Sequence, residues 1–249
     1  QQDTGIKINL KSLIILAPKE LQNIIDKEKY YKMTIGVPQS INDLYKIAYE
    51  IERDFNQKGY PLVRVILPVQ ELEPEQASVF FKVIDGFIEK VDLSKVPKAQ
   101  TLRTYAYLKP LINKKNMTLK LLERQLLLAS NSAGLTLTSS LIPGAKEGST
   151  RLVIEAKHKL LSGGISFDNT QSEQLGRQQG QANTNISSAF GLGETISLFG
   201  LARPTIKGMT GTGNDVPIRA GGFSISVPIG SKGLTTGLSY LESMTRPGG

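Results

Sequence analysis

Between Lys95 and Arg124 the chain carries eight basic residues and one acid, Glu123. Cationic side chains at that density form either a solvated positive face or a surface that holds and steers an acidic or polar partner. Nucleic acid fits poorly as that partner. The basic residues are not interleaved with the aromatic platforms of single-strand binders, and no helix-turn-helix, zinc or RNP pattern appears. Covalent chemistry has little to work with. Cysteine is absent and His158 is the only histidine of 249 residues. This removes thiol nucleophiles, disulfides and Cys-based metal sites. Gly191 and Gly193 begin a dinucleotide fingerprint, but Ile196 stands where its third glycine belongs. No phosphate loop, paired-His site or nucleophile elbow occurs. No enzyme, metal site or cofactor is expected. His158 reads as structural or solvated, Gln70 as satisfying backbone groups of a turn, and Asp168-Asn169 as shaping a strand end.

The elements that position the basic cluster follow from a repeat. In Gln57–Gly86, Gly59 can adopt the left-handed conformation that stops a helix, and Pro61 blocks continuation. Leu62 to Leu67 then reads as a strand, Pro68 and Pro74 bracket a polar connection, and Val79, Phe81 and Val83 alternate in a second strand before Asp85-Gly86. A shift of 75 residues lays Gly59-Tyr60 on Gly134-Leu135 and Leu67-Pro68 on Ile142-Pro143. Arg151 to Glu155 repeats the second strand. A fixed internal period names the supersecondary unit.

Each copy can be completed upstream. In the first, Ile6, Ile8 and Leu10 alternate with polar residues as a half-buried strand, and Ala17 to Glu20 opens a short helix. A stronger helix follows Pro38. Ser40 and Asp43 sit at capping spacing, and Ile41, Leu44, Tyr45, Ala48, Ile51 and Phe55 form its apolar stripe. In the second, Phe87, Ile88, Val91 and Leu93 begin a strand. Leu102, Tyr105, Ala106 and Leu108 suit a helix disturbed by Pro110. Thr118 caps another, with Leu119, Leu122, Leu126 and Ala129 inward. Leu135–Ile142 and Arg151–Lys157 close the unit. The order strand, helix, helix, strand, strand describes a small sheet with two helices on one face.

The composition changes near residue 160. Residues 161–249 hold only 6 of the 30 basic and 5 of the 22 acidic residues, but 17 of the 24 glycines. Here the period is two: Ile165 and Phe167; Ile186, Ser188 and Phe190; Ile196 and Leu198; Phe223, Ile225, Val227 and Ile229; Leu238 and Tyr240. Turn formers interrupt the runs at Gly191–Glu194, Gly211–Asp215 and Gly230–Gly233. Short segments with one apolar and one small polar face are the signature of a membrane β-barrel; an ordinary soluble β-domain would show bulkier inward residues. The net charge of +8 fits acidic partners or a membrane surface. No apolar run is long enough for a transmembrane helix. The opening Gln1-Gln2-Asp3-Thr4-Gly5 has no basic, apolar leader and reads as a mature terminus.

With these segments in order, the chain resembles the outer-membrane transporters of two-partner secretion, within the outer-membrane assembly superfamily. The first copy is similar to the family's first POTRA domain through Gly59-Tyr60-Pro61, Leu67-Pro68-Val69-Gln70 and Val83-Ile84-Asp85-Gly86. The second resembles the haemolysin-transporter type of POTRA domain through Leu119 to Ala129. The barrel start is similar through Leu161-Ser162-Gly163, Asp168-Asn169, Gly191-Leu192-Gly193-Glu194 and Val227-Pro228-Ile229-Gly230. The resemblance implies an α+β chain: two POTRA domains (β-α-α-β-β), residues 5–85 and 86–158, followed in 159–249 by the first antiparallel strands of a truncated outer-membrane β-barrel, about five of them. No plug helix or lumen-inserted loop is evident. The chain therefore reads as an amino-terminal fragment whose open sheet edges prevent a conducting pore.

The implied function is translocation of a large partner exoprotein across the outer membrane, with periplasmic POTRA domains capturing it unfolded and outer-membrane lipid around the barrel. The physical route to capture is strand addition, in which main-chain hydrogen bonds tolerate varied sequences. The expected substrate-binding residues are Leu62, Val63, Arg64, Val65, Ile66 and Leu67 on one sheet edge, with Leu135–Ile142 as a second edge. Lys98, Lys114 and Lys115 are expected to steer the encounter. Two other readings stay open: an outer-membrane protein assembly factor, and a periplasmic POTRA-like scaffold or chaperone.

Overall fold

A computed structural model describes residues 7–73, 76–175, 177–204 and 218–246. Ile6, Pro74 and the Gly211–Asp215 turn lie outside the described residues. By their internal contacts the residues divide into two compact units. One comprises 1–92, 109–125 and 139–153; the other comprises 93–108, 126–138 and 154–249. The division runs through the second copy of the repeat.

The first sheet contains β1 (Leu10–Leu16), β2 (Arg64–Ile66) and β3 (Ala77–Ile84) in the order β1-β3-β2. β3 is central, parallel to β1 and antiparallel to β2, with Leu13 opposite Val79 and Val65 opposite Val83. Val79, Phe81 and Val83 are buried, as their alternation requires. β1 begins later than the Ile6, Ile8, Leu10 pattern suggests. Ile8 forms only an isolated bridge to Gln39, and the run Leu13-Ile14-Ile15-Leu16 supplies the strand. β2 is also shorter than the expected Leu62–Leu67, because Leu62 and Val63 are buried in the loop that follows Gly59.

Helix α1 (Lys27–Thr34) is capped by Asp26, whose side chain accepts from the Glu28 N–H. It packs against β1, and it is not the helix expected at Ala17–Glu20, where only a short turn at Lys19–Leu21 forms. Helix α2 (Ile41–Gln57) opens with the expected capping box between Ser40 and Asp43. Its inward stripe is Leu44, Ile47, Ala48, Ile51 and Phe55; Ile41 and Tyr45 are exposed. Gly59 ends it at φ +88°.

The second sheet contains β4 (Phe87–Lys95), β5 (Leu135–Pro143) and β6 (Ser149–His158) in the order β4-β6-β5. In both small sheets the third strand in sequence sits between the first and the second, so the 75-residue repeat is a repeat of topology. Two helices precede the closing hairpin, α3 (Lys98–Leu108) and α4 (Leu119–Ser130). Thr118 Oγ1 accepts from Leu121 N–H at 3.3 Å at the start of α4. Helix α3 departs from the expected stripe. Its buried residues are Gln100, Thr104, Tyr107 and Leu108, while Leu102 and Tyr105 are exposed.

The third sheet is an antiparallel meander of five strands: β7 (Leu161–Asp168), β8 (Gln179–Ser187), β9 (Thr195–Ala202), β10 (Ile218–Ile229) and β11 (Leu234–Thr245). β8 ends at Ser187, so Ser188 and Phe190 belong to a turn and not to the expected strand. The connections at 188–194 and 230–233 lie at the end where the chain enters from β6.

Candidate functional site

The outer strand β2 presents main chain, not side chains. Leu62, Val63 and Val65 are buried, Ile66 is half-buried, and Leu67 packs against the apolar core. Arg64 is exposed and ion-paired with Glu52 of α2. The same carboxylate turns its second oxygen to the strand, where Glu52 Oε2 accepts the Val65 N–H at 3.1 Å. In an antiparallel pair, main-chain groups alternate between the neighbour strand and the open side. The Val65 N–H is therefore the open-side donor of β2, and a side chain already holds it. The Val63 N–H is also engaged, by Tyr60 O at 3.4 Å.

Beyond β2 the chain leaves the sheet at Pro68, which uncovers β3 at Phe80. Gln70 fills this place. Its Oε1 accepts the Phe80 N–H at 2.9 Å and its Nε2 donates to Phe80 O at 3.2 Å, with a further contact to Pro68 O. A primary amide thus substitutes for a strand residue, a larger role than satisfying the turn alone.

β5 is the outer strand of the second sheet, and along its nine residues most side chains are exposed. The β5–β6 connection is clamped by Glu89 of β4. Its carboxylate accepts from Ala145 N–H at 3.0 Å and from the Ser149 hydroxyl at 2.9 Å, which hold it below the usual carboxylate range.

The three expected steering lysines are not alike. Lys98 and Lys114 are exposed, but they fall in different compact units. Lys98 opens α3, whose first turn carries no acid; a cation there opposes the helix dipole. Lys115 is engaged: its Nζ donates to Asp85 O at 2.9 Å and sits 4.1 Å from the centre of the Phe87 ring.

The five-stranded sheet sorts its side chains by face. Cross-strand partners form rows: Leu161, Ile186, Ile196, Ile225 and Leu238; then Gly163, Thr184, Leu198, Phe223 and Tyr240. The row between these two, on the opposite face, is Ser162, Asn185, Ser197, Ser224 and Ser239, and the next row on that face carries Phe199 and Leu241 among Gly164, Asn183 and Gly222. Leu161, Ile165, Phe167, Leu198, Leu238 and Tyr240 stand exposed on the apolar face.

A buried polar cluster fixes the 188–194 turn. Ser188, at φ +50°, donates through Oγ to Gln100 Oε1 at 2.9 Å, and Gln100 Nε2 donates back to Ser188 O at 3.3 Å. Ser188 Oγ also accepts from Gly193 N–H, and the buried Glu194 carboxylate accepts from Phe190 N–H at 2.6 Å and Leu192 N–H at 3.0 Å. His158 Nε2 donates to Ser187 O at 2.9 Å, a structural role. Asp168 accepts from Thr170 at the end of β7. Glu52, Gln100 and Ser188 escape sequence reading because each partner lies far along the chain. The one local sign is a polar residue on the inward face of α3.

Residues 148–247 match the family model described as haemolysin secretion/activation protein ShlB/FhaC/HecB. The Heme/hemopexin transporter protein HuxB of Haemophilus influenzae is 26% identical over 201 residues, covering 80% of this chain and 35% of that protein. The hemolysin transporter protein ShlB of Serratia marcescens is 26% identical over 198 residues, 77% of this chain and 32% of that one. The chain thus spans about a third of the length of these curated relatives. Among solved structures, CdiB from Escherichia coli superposes with a TM-score of 0.65 at 14% identity, over 98% of this chain and 44% of that one. CdiB from Acinetobacter baumannii gives 0.56 at 15%, over 95% and 44%. The expected likeness to two-partner secretion transporters holds, as does the α+β class of POTRA units followed by the start of a barrel.

Proposed function

We propose that this chain, a relative of the haemolysin secretion/activation transporters, serves in the outer membrane to translocate a large partner exoprotein. Residues 5–85 and 86–158 act as two periplasmic POTRA domains that receive the exoprotein's amino-terminal secretion domain in extended form. Residues 159–249 supply the first strands of the conduit. This reading assigns the chain no catalytic step.

One observation carries the proposal: across all five strands of the third sheet one row is wholly apolar, Leu161, Ile186, Ile196, Ile225 and Leu238, and the neighbouring row on the opposite face is wholly polar, Ser162, Asn185, Ser197, Ser224 and Ser239. An apolar face suits lipid and a polar one a water-filled lumen. A periplasmic scaffold has no use for such an apolar face.

Capture by strand addition uses an outer strand, β2 or β5, whose main-chain groups pair with varied sequences. Lys98 and Lys114 raise the encounter rate with acidic or polar segments.

The test is binding of the full transporter, in detergent, to the amino-terminal secretion domain of the exoprotein encoded beside it, across a salt series. Binding that weakens with salt, and less steeply after charge reversal at Lys98 and Lys114, is expected. No binding at any salt by a folded protein would transfer the assignment to the assembly-factor or scaffold reading.

A further inference from the structure

We propose that Glu52 is an edge cap which closes β2 to strand addition, so that an extended polypeptide pairs with the first sheet only after this carboxylate is displaced. The proposal rests on the strand-addition reading above and names the control on one of its edges.

β2 has only three residues, Arg64–Ile66, and its inward groups are committed to β3 through the pairs Arg64–Ile84, Val65–Val83 and Ile66–Lys82. An incoming strand must therefore find its acceptor and donor at Val65, the one residue of β2 whose amide faces outward. That amide is held by Glu52 Oε2 at 3.1 Å. The carboxylate is held in turn. Its other oxygen takes the Arg64 guanidinium, its side chain is 18% exposed, and it projects from α2, whose inward stripe is fixed in the core. A charged acceptor forms a stronger bond than a peptide carbonyl, roughly twice as strong, so a neutral strand does not displace it on hydrogen-bond energy alone.

Gln70 supports the same conclusion independently. Where β2 ends, the newly uncovered edge of β3 is covered by a side-chain amide that makes both bonds of a strand residue at Phe80. Side-chain groups thus cap this edge at both Val65 and Phe80. Protecting an exposed strand edge in this way prevents unprogrammed pairing. Among the described residues, no side chain caps the nine-residue β5 in this way. The occupant of the β2 edge is an extended peptide segment, because only main chain is presented there.

The experiment compares the full transporter with Glu52→Asp and Glu52→Gln variants. Aspartate retains the charge but falls one methylene short of Val65; glutamine loses the charge but keeps an oxygen at the right distance. Amide exchange at Val65 is read first, with Val79 and Phe81 as internal standards for an intact sheet. Affinity for the exoprotein's amino-terminal secretion domain is read second. Glu52→Asp is expected to speed Val65 exchange at least about tenfold and to tighten binding several-fold; Glu52→Gln, whose neutral oxygen is an acceptor no stronger than a peptide carbonyl and has lost the Arg64 ion pair, is expected to fall between wild type and Glu52→Asp in both. Faster exchange with unchanged affinity would overturn the cap as a control on binding while leaving strand addition at β5 intact. Unchanged Val65 exchange in both variants would overturn it as well, since Glu52 would then not be what holds the amide. Failure of every form, wild type included, to bind would overturn the strand-addition reading and the cap with it.

Discussion

Gln100 and Ser188 exchange two hydrogen bonds across 88 residues of sequence: the serine hydroxyl donates to the amide oxygen at 2.9 Å, and the amide nitrogen donates to the serine carbonyl at 3.3 Å. Both residues are about 1% exposed. The pair joins α3 to the 188–194 turn, the turn that carries the Gly191-Leu192-Gly193-Glu194 sequence. A bond of this kind has its largest effect when one side is removed, because the orphaned group stays buried.

Gln100→Ala is accordingly expected to destabilise the folded chain by about 1–3 kcal/mol, and Ser188→Ala by a similar amount. The double variant should lose less than the sum, since both changes break the same bonds. Denaturant titration of the four proteins in detergent measures the coupling. Strict additivity would show that the two residues act separately.

The two faces of the third sheet give a sharper contrast. Ile225 and Ser224 are neighbours on β10, opposite Leu238 and Ser239. Ile225→Arg is expected to cost about 2–4 kcal/mol of stability in a bilayer, and Ser224→Arg close to nothing. Folding of the full-length transporter into lipid vesicles, followed against urea, reads both. Equal costs would exclude the lipid-facing assignment.

The repeat can be tested at its two glycines. Gly59 has φ +88° with open space where a Cβ would stand, so Gly59→Ala is expected to cost about 1 kcal/mol of backbone strain. Gly134 has φ +69°, and a Cβ there would lie 2.4 Å from Lys159 O and 2.7 Å from Ser187 Cβ. Gly134→Ala combines strain with a backbone clash and should be clearly the more damaging. Thermal denaturation of the two variants ranks them.

The α2 capping box predicts a pH dependence. The Lys46 ammonium and then the Ser40 hydroxyl and N–H hold the Asp43 carboxyl well below the usual carboxylate range. A depressed folded-state value means that the unfolded chain takes up this proton first. The contribution is therefore complete above the unfolded value, about 3.9, and fades as pH falls below it. Asp43→Asn should flatten the stability profile below about pH 4 while lowering stability at pH 7. A profile unchanged in slope would remove Asp43 from the acid response.

Much of this architecture is local and therefore legible in the sequence. The Ser40–Asp43 box, the termination at Gly59 and Gly134, the alternation in Val79–Val83 and in 223–229, and the 75-residue repeat all follow from periods of 3.6 and 2 and from the φ range open to glycine. The apolar row through Ile196 and Ile225 and the polar row through Ser197 and Ser224 follow from the alternation within each strand, independent of pairing. What tertiary structure decided is where each strand ends and what covers its edge. Residues 62–67 look like one strand, but only Arg64–Ile66 pair with β3, because Leu62 and Val63 are drawn into the interior. Leu102 looks inward and is exposed, because α3 turns Gln100 and Thr104 inward instead. Glu52 gives no sign in sequence of holding Val65, nor Gln70 of pairing with Phe80. A hydrogen bond between residues ten or more apart depends on the path of the chain between them, and that path is fixed only when the whole core closes.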